Sequence, residues 1–243
     1  MLMYKKLEFN VRERDVNLND LIRPATILDY FQDIAGMHAD TLGVGYRDML
    51  NLNLYWVILY EEFEVINNLP KFGERILVNT WPKTTGRLEA EREYEIRDLN
   101  NNLLIKGISN WCVISTDTRK LERMDKVKFN GEYYDKTNYL EKSKRRLNLK
   151  LKNVIKEYNY KVLLTDLDHN KHLNNARYLD IIYNMREDLA YKNVKKVEIA
   201  FLHEVRYDEI INVKYFKDEF NVDSYIGYVN DTECFEARVI MED

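Results

Sequence analysis

Asp168, Asn170 and His172 alternate within one polar stretch, Leu164-Thr165-Asp166-Leu167-Asp168-His169-Asn170-Lys171-His172-Leu173-Asn174-Asn175, which leads into a helical pattern. An acid, an amide and an imidazole so close together can hold a water, move its proton and steady an oxygen that turns negative. An extended backbone would point the three side chains the same way. The start of a helix adds unpaired backbone N–H groups and the positive end of its dipole, both suited to an oxyanion formed in acyl transfer. Structural readings stand beside the chemical one. Asp168 could cap or orient the loop, His172 could be a satisfied histidine at a helix start, and His169 reads as a surface residue. His169 and His172 with Asp166 and Asp168 could also form a metal site of N and O ligands. Other chemistries are excluded. None of the four serines lies between glycines, so there is no nucleophile elbow. There is no P-loop, and Gly43-Val44-Gly45 lacks the third glycine of a dinucleotide fingerprint.

The elements that must position this stretch occur twice. At an offset of 151 residues, 16–21 lies over 167–172 and 25–29 over 176–180, and at an offset of 135, 73–78 lies over 208–213. The drop is expected from extra residues around Asn67-Asn68-Leu69-Pro70. Shared order makes a duplicated unit the natural reading. In it Asn170 lies over Asn19, Asp168 over Asn17 and His172 over Leu21, so the ionisable groups belong to the second copy alone. The retained asparagine suits a helix cap, and the first copy is free to supply a binding pocket.

In the first copy Ile27, Leu28, Phe31, Ile34, Ala35 and Leu42 form an apolar helical stripe, with Pro24 at its first turn and Gly43 and Gly45 at its end. Strands are expected over 56–65, over 90–97 with an acidic face turned to water, and, after an Asn100-Asn101-Asn102 turn, over 103–115. In the second copy a strand over 154–164 precedes a helix over 174–190, and strands follow over 197–205, 210–216, 225–229 and 235–241. One helix followed by hairpin-connected strands is an α+β unit with an antiparallel sheet wrapped around the helix. The division expected is an N-terminal domain over 1–130, a linker over 131–152 and a C-terminal domain over 153–243. The linker holds Lys142, Lys144, Arg145, Arg146, Lys150 and Lys152, and reads as a solvated loop or as a basic patch for an acidic partner.

Composition agrees. The 243 residues are 45% hydrophobic and 32% charged, with a net charge of -4, so nothing suggests a nucleic-acid footprint. Apolar runs are too short for a membrane span, and no secretory signal is visible. Two cysteines, Cys112 and Cys234, cannot make a disulfide framework. A cytoplasmic protein is expected.

The segment Asp168-His169-Asn170-Lys171-His172-Leu173-Asn174-Asn175-Ala176-Arg177-Tyr178 resembles the D-x-N-x-H-x-N-N-x-K/R-Y signature of fatty acyl-ACP thioesterases. Val78-Asn79-Thr80-Trp81 with Gly86, Ser109-Asn110-Trp111-Cys112-Val113 and Thr118-Arg119-Lys120-Leu121 resemble further segments of that family. The resemblance runs from about Arg23 to Asp208. It implies a tandem hotdog fold and hydrolysis of fatty acyl thioesters on acyl carrier protein, with no metal or organic cofactor. It implies catalytic roles for Asp168, Asn170, His172 and Glu204, the last within Glu204-Val205-Arg206-Tyr207-Asp208, where Val205 stands in place of a cysteine common in the family. Glu204 and His172 would activate water, Asn170 would hold the carbonyl or the water, N–H groups near Leu173 would receive the oxyanion, and Asp168 would orient its neighbours or attack the carbonyl. Phe31, Trp56, Tyr60, Trp81 and Trp111 are candidate walls for the acyl chain, and the basic 142–152 segment is a candidate dock for the acidic carrier. An acyl-CoA thioesterase of the same fold and a non-catalytic acyl- or carrier-binding module are the alternatives; the latter would lack the Asp/His pair in both copies. Two copies in one chain already build the pair that single-copy hotdog proteins form by dimerisation, which leaves a monomer or a homodimer.

Overall fold

The computed structural model describes residues 2–242. In the first half, β1 (Leu2–Met3) and β2 (Lys5–Asn10) precede α1 (Pro24–Thr41) and α2 (Tyr46–Asn51). Then come β3 (Leu54–Val65), β4 (Arg75–Pro82), β5 (Ala90–Arg97), β6 (Leu103–Ser115), β7 (Leu121–Glu122) and β8 (Glu132–Tyr133). The second half contains β9 (Lys156–Lys161), α3 (Arg177–Met185), β10 (Val194–Phe201), β11 (Ile210–Lys217), β12 (Asp223–Val229) and β13 (Thr232–Met241). One antiparallel sheet runs β2-β4-β5-β6-β3-β10-β13-β12-β11-β9, with β7 on β6. The halves join where β3 pairs with β10, Phe63 opposite Val197 and Glu61 opposite Ile199. The sheet curls around both helices. The main apolar core takes Ile27, Phe31 and Ile34 from α1, Leu179 and Ile182 from α3, and Phe63, Val197, Ile199 and Phe235 from the strands.

Local chemistry explains α1. Pro24 occupies its first turn, where a missing N–H costs nothing. The predicted stripe is buried, and Gly43 just past the end takes φ +70°, a conformation open to glycine. Phe31 stacks on Tyr94 at 4.3 Å. It also fills the space above Gly107, where an added Cβ would lie 2.3 Å from the Phe31 ring.

The duplication holds to single hydrogen bonds. Asn17 Oδ1 accepts the N–H groups of Asn19 (2.9 Å) and Leu21 (3.2 Å), as Asp168 Oδ1 accepts those of Asn170 (2.8 Å) and His172 (3.1 Å). Ile22 N–H donates to Pro70 O and Leu173 N–H to Val205 O, both at 2.8 Å. The bridges Leu21–Lys71 and His172–Arg206 correspond in the same way. The offset of 135 is therefore already in force at Pro70, and the extra residues lie earlier than the sequence suggested. They are in the helices: α1 has 18 residues and is followed by α2, whereas α3 has 9. The helix expected over 174–190 is accordingly split into α3 and a 3-10 turn, Glu187–Tyr191.

The acidic face of β5 does not meet water. Glu93 and Glu95 are 0% and 2% exposed, because the segment expected to be a solvated linker lies across them. Thr137 Oγ1 and Asn138 N–H donate to Glu93, Lys136 and Asn138 to Glu95, and Ser143 to Glu91. Burial opposes the charge on Glu95, but Arg97, Lys136 and Asn138 outweigh it and hold its pKa down at about 2. Further on, Lys144 pairs with Glu198, Arg145 with Glu89 and Arg146 with Glu233, while Glu236 accepts the N–H groups of Leu147, Asn148 and Leu149. A row of glutamates facing one way on neighbouring strands needs counter-charges, and this strap provides them.

Candidate active site

The polar stretch is a tight turn rather than an extended run. Lys171 N–H donates to Asp168 O (3.0 Å), Asp168 N–H donates to His172 O (2.8 Å), and Lys171 takes φ +66°. Asp168 lies at the centre of this turn. Its Oδ1 holds the two N–H groups named above, and its Oδ2 receives Asn170 Nδ2 at 3.3 Å. The helix begins only at Arg177. Leu173 and Asn174 spend their N–H groups on Val205 O and Asp166 O, and Ala176 donates to Asn174 Oδ1. Backbone donors at Leu173 and Asn174 are therefore not open to a substrate oxygen, contrary to the expectation from sequence.

The pairing of the turn with the chain leaving β10 places His172 beside Glu204, with Nε2 3.2 Å from Oε2. Arg119, from the first half, also binds Glu204 Oε2, and Arg206 Nη2 is 3.9 Å away. In the first half, Leu21 and Leu69 occupy the places of His172 and Glu204. The sequence marks Glu204 through the family resemblance, and the repeat offsets single out the polar stretch alone. The metal reading is not supported: among the described residues no three of His, Cys, Asp and Glu converge. His169 packs edge-on against Tyr46 at 4.5 Å, and Asp166 accepts from Tyr160 and from Leu163 N–H.

Asp168, Asn170, His172 and Glu204 share one cleft of about 510 Å³. Ala35, Gly36, Ala39 and Met49 from α1 and α2, and Tyr55, Trp56 and Ile58 from β3, form much of its wall. A Cβ added at Gly36 would meet nothing within 4 Å, so α1 leaves open space there. Of the five predicted wall aromatics only Trp56 and Trp111 line it. Phe31 is core beneath the sheet, whereas Tyr60 and Trp81 lie under the strap, with Trp81 Nε1 donating to Lys136 O. Aromatic content alone does not distinguish the two faces of a strand.

The cleft crosses the strands from β10 to Arg92 on β5, three strand spacings or about 14 Å. Arg92 is 7% exposed. Its Nη1 lies 3.0 Å from His38 Nδ1 and donates to Thr80 Oγ1 at 3.3 Å. Burial, with Arg92 and Lys5 adding to it, pushes the His38 pKa down to about 3, so the imidazole is neutral and Nδ1 accepts. Arg92, His38 and Arg119 escaped the sequence reading; Arg119 had a signal in the Thr118-Arg119-Lys120-Leu121 segment.

Two sheet-wrapped helices in one chain, with a polar cluster lining a largely apolar cleft, define a double-hotdog protein. Residues 2–129 match the acyl-ACP thioesterase N-terminal domain and 149–239 the C-terminal domain of the same enzymes. The chain belongs to the acyl-ACP thioesterase family. It is 25% identical over 232 residues to a chloroplastic oleoyl-acyl carrier protein thioesterase of Coriandrum sativum, covering 87% of this chain and 62% of that one. It is 28% identical over 184 residues to the chloroplastic acyl-[acyl-carrier-protein] hydrolase FATB2 of Cuphea viscosissima, covering 70% and 44%. The chain thus spans less than two thirds of the length of these relatives. The fold is shared with an acyl-ACP thioesterase from Bacteroides thetaiotaomicron (TM-score 0.85, 20% identity, 99% and 98% covered). It is shared equally with a 12:0-ACP thioesterase from Umbellularia californica (TM-score 0.83, 17% identity, 99% and 97% covered). Among the described residues no helix is long and apolar enough to cross a membrane.

Proposed function

We propose that this protein hydrolyses fatty acyl thioesters carried on acyl carrier protein and releases free fatty acid. The observation that carries the reading is the 3.2 Å approach of His172 Nε2 to Glu204 Oε2 in the wall of a largely apolar cleft. In this reading the acyl chain lies along α1 and β3, and the thioester carbonyl stops beside Asn170. A water held beside the Glu204–His172 pair loses its proton to that pair as its oxygen bonds to the carbonyl carbon. Asn170 donates to the carbonyl oxygen as it becomes negative. The tetrahedral intermediate collapses, the C–S bond breaks, and the proton returns to the leaving thiolate.

Asp168 acts as an orienting group. Both its oxygens are occupied by the turn it closes, which argues against attack on the carbonyl. A cysteine nucleophile has no support: Val205 fills the relevant position, and burial pushes Cys112 up to about 11 and Cys234 up to about 12, keeping both as thiols. Residues 1–130 supply the acyl pocket, 153–243 the reactive groups, and 131–152 the strap. Lys144, Arg145 and Arg146 are already paired, so the carrier docks at exposed cations next in sequence to cleft-lining residues, Arg47, Lys171 and Arg206, rather than at those three. A cytoplasmic setting, in which two buried thiols need no pairing, completes the proposal.

Steady-state assays on acyl-ACP test it. His172→Ala and Glu204→Ala should each lower kcat at least about a hundredfold without loss of folding. Near-normal turnover in both variants would sink the assignment. Acyl-ACP should show higher kcat/KM than the matching acyl-CoA; the reverse ranking would favour the acyl-CoA thioesterase.

A further inference from the structure

Glu204 is the member of the polar cluster that the first half of the chain reaches. Arg119 Nη2 and His172 Nε2 meet on the same atom, Glu204 Oε2. We propose that Arg119 is a positioning residue, fixing the Glu204 carboxylate against the His172 imidazole so that the half without the reactive motif still completes the site. The inference rests on Glu204 being catalytic, as argued above.

Three features of Arg119 support it. The residue takes φ +56°, in the left-handed region that a non-glycine residue with a long side chain seldom adopts, and such conformations gather at functional sites. The turn that holds it there is well bonded. Arg119 N–H donates to Ser115 O (3.0 Å), Thr118 N–H to Ser115 Oγ (3.2 Å), and Ser115 N–H to Lys120 O (3.0 Å), which anchors the turn to the end of β6. Next, the guanidinium stands over the Tyr55 ring at 5.2 Å, and Tyr55 is fixed opposite Ile114 in the β3–β6 pairing. A rigid path thus runs from the sheet of the first half through Arg119 to the reactive carboxylate of the second. Finally, the Arg119 side chain is 48% exposed, and an exposed pair adds little to stability, so holding the fold together does not explain this geometry. A planar guanidinium held over a ring can fix one carboxylate orientation where a flexible ammonium cannot.

A double-mutant cycle on acyl-ACP tests this, using Glu204→Gln, Arg119→Ala and the pair, with Arg119→Gln in reserve should the alanine variant melt early. Arg119→Ala should lower kcat about ten- to fiftyfold with KM within about threefold of wild type. Arg119→Lys should recover only a small part, and guanidinium ion below denaturing concentration should raise kcat of the alanine variant but not of wild type. In the Glu204→Gln background, removing Arg119 should change kcat less than about twofold, because the group it positions is gone. A rise in KM alone would make Arg119 a carrier-docking residue, and losses that multiply in the double variant would give it a role independent of Glu204; either overturns the proposal. Near-normal turnover of Glu204→Gln by itself would instead remove the reading of Glu204 on which it rests.

Discussion

At the residue scale, Asp168 and Asn17 do the same structural work with different atoms. Each places one side-chain oxygen under two backbone N–H groups of the same turn, and the carboxylate adds a charge the amide lacks. The cap and the charge can therefore be separated. Asp168→Asn should keep Tm within about 2 °C, because an amide oxygen already serves in the first half, while kcat falls about ten- to a hundredfold as the anion beside Asn170 is lost. Asp168→Ala should also destabilise, by about 1–2 kcal/mol, as two N–H groups lose their acceptor. If thermal melts show the two variants equally stable, the cap is unimportant; if Asp168→Asn retains full turnover, the charge is.

At the element scale, the strap over 131–152 is a structural part of the sheet's outer face. Glu236 is fully buried and accepts three consecutive backbone N–H groups from Leu147, Asn148 and Leu149, so it has few other ways to be satisfied. Glu236→Gln would turn an N–H2 group toward some of those donors and remove the charge that strengthens the bonds. The expected loss is about 2–4 kcal/mol in urea unfolding, with faster proteolytic cleavage between Lys136 and Leu149. Wild-type stability and protection in this variant would mean that the strap is a loose tether. The contrast between α1 and α3 acts at the same scale. The longer helix, continued by α2, lines the cleft, whereas its shortened counterpart lets Ala190 O close on Asn19 Nδ2 at 3.2 Å.

At the scale of the whole molecule, the two halves share one sheet and one core, and Glu61 sits at their junction. It lies on β3 between Ser109 of β6 and Ile199 of β10, 3% exposed. Burial, and to a lesser degree the Asp29 charge, push its pKa from the ordinary 4.5 to about 8. Below pH 4.5 the folded and unfolded chains both carry this proton, so the group costs nothing. Between 4.5 and 8 the unfolded chain ionises while the folded one does not, so stability falls as pH rises and levels off above 8. Glu61→Gln should flatten this slope and raise Tm at pH 8 more than at pH 5. An unchanged slope in chemical denaturation across that range would show that Glu61 is not the source.

Much of the architecture was legible in the chain, because it rests on short-range patterns. The apolar stripe of α1, the Pro24 start and the Gly43 stop are consequences of helical geometry acting within a few turns. The duplicated turn could be read because the same backbone hydrogen bonds require Asn17 or Asp168 at one position in each copy. The polar trio, with its absence from the first copy, was likewise written in the order of residues. What needed the folded molecule were relations between residues far apart in sequence. Burial of Glu93 and Glu95 depends on a segment more than forty positions later lying over them. Whether Tyr60 shares the cleft face with Trp56 depends on the bulge between Ile58 and Tyr60, set by the pairing of β3 with β6, which reverses the alternation along β3. The meeting of Arg119 with Glu204, 85 positions away, depends on two halves closing around one cleft. Local periodicity specifies each element, but only the packing of elements brings side chains within a few ångströms, and both charge pairing and catalysis act at that range.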